Sequence, residues 1–119
     1  MTNLIKSLQK LGYPLVNHGI VDKLTLNQLY RSSEYVIFPS LAESFGLGIV
    51  EGIENGCKII ASDLPWLHSV CEPSLTFDPF SQHNIEKAFE IATFSTLKFS
   101  NKLITNEIHS IIALLKKNC

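Results

Sequence analysis

Leu4, Ile5, Leu8 and Leu11 recur at helical spacing and Gly12 follows, so the first segment predicts an amphipathic helix that stops at the glycine. Leu15 to His18 is patterned as a short strand closed by Gly19. Asp22 or Thr25 then caps a helix that runs through Leu26, Leu29 and Tyr30 to about Ser32. Tyr35 to Phe38 is apolar and strand-like, and Pro39 ends it. Gly48 to Asn55 predicts a helix with Gly56 as its C-terminal stop. Lys58 to Ala61 has the composition of a short buried strand, and Ser62 to Pro65 that of a loop. Leu75 to Phe77 is extended, with Asp78-Pro79 as the turn after it. Ser81 or Asn84 opens a helix through Ile85, Ala88, Phe89 and Ala92, and Thr93 to Ser100 is a loop or a helix break. Ser100 or Asn101 opens a last helix through Leu103, Ile104, Ile108, Ile111, Ile112 and Leu115, whose stripe is a core face.

Alternating strands and helices indicate an α/β fold, a parallel Rossmann-like sheet flanked by helices. The 119 residues suffice for one domain, residues 1–119. The order is unusual for a doubly wound half, which opens on a strand and carries its phosphate loop directly after it. Here a helix comes first. Gly46-x-Gly48-x-x-x-Gly52 is one residue too long for the dinucleotide fingerprint and lies late in the chain.

Bulk properties narrow the function. Hydrophobic residues make up 45% and charged residues 18%, a globular balance. The net charge of −1 leaves no basic surface for nucleic acid or a polybasic membrane patch. A mean hydropathy of +0.17 fits a mostly buried parallel sheet, or an apolar face that receives another domain. Cys57, Cys71 and Cys119 are odd in number and form no C-x-x-C, which fits a reducing, cytoplasmic setting. His18, His68, His83 and His109 lack ligand spacing, so no metal site is expected and each reads as a surface or loop histidine. No apolar signal core and no run near the roughly 20 residues of a membrane span is present.

The stretch Pro39 to Gly52 carries the candidate chemistry. Glu43 and Glu51 bracket a small, partly apolar run between a strand and a helix. Such a helix mouth offers free N–H groups and partial positive charge to a phosphate. Gly46 and Gly48 would let a ligand approach the backbone, and a carboxylate can accept from vicinal hydroxyls. Plainer roles are open at each position. Glu51 and Glu54 fit solvated helix residues, Glu43 a capping partner and Phe45 a core residue. Trp66 fits a lid or a surface anchor, and Lys58 a solvated lysine.

Glu43-Ser-Phe-Gly-Leu-Gly-Ile-Val-Glu51 resembles the E-x7-E motif of retaining GT-B glycosyltransferases, especially the large family 4 group. Asn27 to Tyr30 with Tyr35 to Ser40 resembles the family's approach to that motif. Glu51 to Gly56, Ile59 to Asp63 and Leu75 to Pro79 resemble the segments that follow it. The resemblance covers roughly residues 15 to 92 and implies a nucleotide-sugar donor, with transfer of the sugar to an acceptor hydroxyl and retention of configuration. Glu43 would be the catalytic residue that binds the donor sugar. Ser44, Phe45, Gly46 and Leu47 would contact sugar and diphosphate, and Glu51 the ribose. No cofactor and no bound metal is implied beyond the nucleotide diphosphate-sugar itself.

The family's donor domain opens with a strand, a glycine loop and an Arg/Lys pair that neutralises the diphosphate. None of these precedes Met1, and Ser69 stands where the family often has a glutamate. The resemblance therefore implies a partial GT-B C-terminal domain, from a truncated frame or a split protein. Its expected partner is the N-terminal GT-B domain or a complementary chain. Cell-surface polysaccharide synthesis and peripheral membrane association of the full protein follow by association with the family. A non-catalytic nucleotide-sugar-binding module and a flavodoxin-like α/β interaction domain are the other two classes the sequence allows.

Overall fold

The computed structural model describes residues 2–43, 45–103 and 114–115 of the chain. Three parallel strands form its centre: β1 (Tyr35–Phe38), β2 (Lys58–Ser62) and β4 (Leu75–Phe77), in the order β1-β2-β4. Tyr35 lies opposite Lys58 and Phe38 opposite Ala61, while Ser62 lies opposite Phe77. Helices α1 (Thr2–Lys10) and α2 (Lys23–Ser32) precede β1, α3 (Leu47–Glu54) joins β1 to β2, α4 (Pro65–Val70) follows β2, and α5 (Gln82–Phe94) follows β4. A two-residue antiparallel ladder joins β3 (Cys71–Glu72) to β5 (Asn101–Lys102).

Strand β2 shows why its sequence is apolar without alternation. Ile59 and Ala61 enter one core, packed with Ile49 and Val50 of α3 and Leu67 and Val70 of α4. Ile60 enters the other, with Phe77 and Ala88 of α5. Both faces of the sheet are covered, so this central parallel strand is buried at every position from Ile59 to Ser62. The α/β reading with a small parallel sheet between helices therefore holds.

Helix starts follow their caps. Asp22 accepts the Thr25 N–H at 2.8 Å and opens α2, and Ser81 accepts the Asn84 N–H at 3.1 Å and opens α5. Gly56, at φ +88°, ends α3.

Three expectations are corrected. Leu15 to His18 is not a strand: it is exposed and pairs with no strand among the described residues, and a strand needs a neighbouring strand to bond. Pro65 belongs to a helix, α4, rather than to the end of a loop. Residues 101–102 are strand β5, so no helix opens at Ser100 or Asn101. Ser100 is instead buried, accepting the Ile59 N–H at 3.0 Å and bonding Ser74 at 2.7 Å. Leu103, Leu114 and Leu115 are exposed, and the rest of the expected last helix lies outside the described residues.

Candidate functional site

Because β1, β2 and β4 are parallel, their C-terminal ends lie at one end of the sheet, where open α/β sheets bind ligands. The β1–α3 loop, residues 39–46, leaves from that end. Glu43 is half-buried there and accepts a hydrogen bond from Ser40 Oγ at 3.1 Å. Ser44 lies outside the described residues. Phe45 and Leu47 are exposed, so Phe45 is not a core residue.

Gly46 is the N-cap of α3 and is left-handed, φ +62° and ψ +36°. Its carbonyl accepts from Ile49 and Val50, both at 3.1 Å. Among the described residues no side chain caps α3, and its first two N–H groups, those of Leu47 and Gly48, have no intrahelical acceptor. A Cβ on Gly46 would lie 2.7 and 2.9 Å from the Val70 methyls, so α4 packs directly over the helix mouth.

Glu51 lies one turn further along α3 and is half-buried. It faces Tyr30 of α2: burial first, then the Glu51 and Cys57 charges, push the Tyr30 phenol above its usual range. The Tyr30 hydroxyl also reaches Gly48, 3.7 Å from where a Cβ would stand. Trp66, at the start of α4, is half-buried and packs edge-on against Phe38 at 6.0 Å. It is therefore anchored on the end of β1. Its indole Nε1 is buried without an acceptor among the described residues.

Sequence reasoning missed Tyr30 as a neighbour of this loop, and it left Trp66 open between a lid and a surface anchor without its contact with Phe38. Their only signal was aromatic character, and their approach depends on how α2 and α4 pack. Lys58 is not simply solvated, since its Nζ lies 5.0 Å above the Phe99 ring. Glu54 pairs with Lys102 at 3.2 Å. His68 is an exposed residue of α4 that pairs with Asp63 at 2.7 Å.

The loop and helix mouth thus combine carboxylate acceptors with backbone N–H donors. From Pro39 to Cys57 there are three glutamates and no Lys, Arg or His. Anion binding there would rest on backbone groups and the helix field. Among the described residues no group of three or more His, Cys, Asp or Glu could hold a metal ion, and no helix is long and apolar enough to cross a membrane.

The architecture is that of an α/β protein with a three-stranded parallel sheet, compatible with a Rossmann-like arrangement. No family model matches the chain, and no curated protein or solved structure matches it.

Proposed function

We propose that this chain is the donor side of a retaining GT-B glycosyltransferase of family 4 type, binding a nucleotide diphosphate-sugar at the β1–α3 loop. The observation that carries the reading is the E-x7-E segment lying across the C-terminal end of a parallel strand and the uncapped mouth of α3, with a left-handed glycine between its glutamates. In this reading Glu43, oriented by Ser40, accepts from donor-sugar hydroxyls. The backbone of Phe45, Gly46 and Leu47 meets the diphosphate, Ser44 contacts the sugar, and Glu51 accepts from the ribose. Transfer to the acceptor hydroxyl requires an N-terminal GT-B domain or a complementary chain that closes the cleft and supplies positive charge to the leaving diphosphate. Cytoplasmic synthesis of a cell-surface polysaccharide, at the membrane periphery, is the setting that the family resemblance suggests.

Thermal shift and calorimetry with UDP, GDP and ADP test the donor site. One nucleotide is expected to raise Tm saturably, since a ligand that binds only the folded state stabilises it. Glu51→Ala should weaken that binding by about tenfold or more, the scale of one lost charge-assisted contact. No response to any of the three nucleotides overturns the reading. The lack of basic residues from 39 to 57 favours a second reading, a binding module without catalysis. That reading predicts nucleotide binding but no sugar transfer after the chain is mixed with an N-terminal GT-B domain.

A further inference from the structure

A cavity of about 480 Å³ opens where β2 and β4 end, lined among others by Asp63, Leu64, Thr76, Asp78, Phe80 and Asn84. We propose that it binds a neutral saccharide, with Asp63, Asp78 and Asn84 taking the hydroxyls and Phe80 covering one face of the ring. The inference stands on the cavity's own lining and does not depend on nucleotide binding at the β1–α3 loop.

The volume falls within the roughly 300–1,000 Å³ typical of small-molecule sites. The polar groups are held in place by the fold. The Asp63 N–H donates to the Phe77 carbonyl at 2.8 Å, and one Asp63 oxygen is paired with His68 at 2.7 Å. Asp78 Oδ1 accepts the Phe80 N–H at 2.9 Å, while Asn84 Oδ1 accepts the Asp78 N–H at 2.6 Å. Among the described residues this leaves the second oxygen of each aspartate as an acceptor and the Asn84 amide nitrogen as a donor.

That inventory selects a ligand class. A hydroxyl both donates and accepts, so a polyol can use the carboxylates and the amide together. Phosphate or sulfate would meet two carboxylates against one histidine. A simple amine or a metal ion would use the carboxylates and leave the amide donors unpaired. The aromatic residue supplies the remaining distinction. Phe77 is buried in the core, but Phe80 is 78% exposed at the cavity edge, where the Asp78 turn holds its backbone N–H. An exposed ring beside hydrogen-bonding groups matches the mixed surface of a sugar, apolar on its C–H face and polar at its rim.

The test is ¹H–¹⁵N NMR titration of the full chain with three neutral probes: methyl β-glucoside, methyl β-galactoside and methyl α-mannoside. Ethanolamine, inorganic phosphate and Mg²⁺ are the charged comparisons. At least one glycoside is expected to give saturable shifts at the amides of Asp63, Asp78, Phe80 and Asn84. Phe80→Ala should weaken that binding about tenfold while leaving Tm unchanged, because the ring is mostly in solvent. Saturation by the charged probes alone, the absence of saturable shifts, or equal affinity in Phe80→Ala would each overturn the proposal.

Discussion

Gly46 meets two demands that no other residue type satisfies together. Its φ of +62° is left-handed, and the space beside its Cα is filled by the Val70 methyls. Gly46→Ala should therefore cost about 2–4 kcal/mol, backbone strain plus overpacking. Gly56 isolates the first term. Its φ is +88°, but nothing lies within 4 Å of where an alanine methyl would stand, so Gly56→Ala should cost only about 1–2 kcal/mol. Urea denaturation of both variants checks the ordering, and equal losses would remove Val70 from the account. Cys71 gives a pH prediction. Burial, and then the neighbouring Glu72 charge, push its thiol up to about 11, while an unfolded thiol ionises near pH 8.5. Between those values the native chain holds a proton that the unfolded chain releases. The contribution is fully present below about pH 8.5 and is lost as pH rises toward 11. The urea midpoint should fall across that window, and Cys71→Ala should flatten the fall. A midpoint unchanged across the window would contradict the burial of this thiol.

Helix α5 depends on its start signal more than on its length. Ser81 Oγ accepts the Asn84 N–H, and the Ser81 carbonyl accepts the Ile85 N–H at 3.0 Å. Ser81→Ala should cost about 1 kcal/mol, read as a lower urea midpoint with unchanged slope. Caps of this kind are written locally, which is why α2 and α5 could be read from Asp22 and Ser81. Helix α4 could not. Its N-cap is Leu64, which offers no side-chain acceptor, and Pro65 is as compatible with a loop as with a first turn. Strands β1 and β2 were readable because apolar runs between breakers must be buried somewhere. The pairing of Asn101–Lys102 with Cys71–Glu72 was not, because two polar residues carry no period. The helix mouth at Gly46 could be read from glycine placement, whereas Tyr30, Trp66 and the Asp63–Asp78 cavity needed elements distant in sequence to be packed first.

The whole molecule divides its stability unevenly. Its radius of gyration is 16.0 Å, against about 13.5 Å for a compact domain of this length. The excess is consistent with the N-terminal segment, since residues 11–20 are all exposed and Leu11, Tyr13, Val16 and Ile20 present apolar side chains to water. The hydrogen bonds of this segment are local, such as Gln9 Nε2 to the Leu15 carbonyl at 2.6 Å. None of its side chains belongs to either core. Hydrophobic stabilisation scales with area removed from water, so this segment contributes little despite its composition. Removing residues 1–21, with Asp22 kept as the α2 cap, should therefore shift Tm by no more than about 4 °C. The same deletion should reduce concentration-dependent association in sedimentation experiments, because exposed apolar side chains favour contact between molecules. Loss of the cooperative melting transition would show instead that the segment supports the sheet.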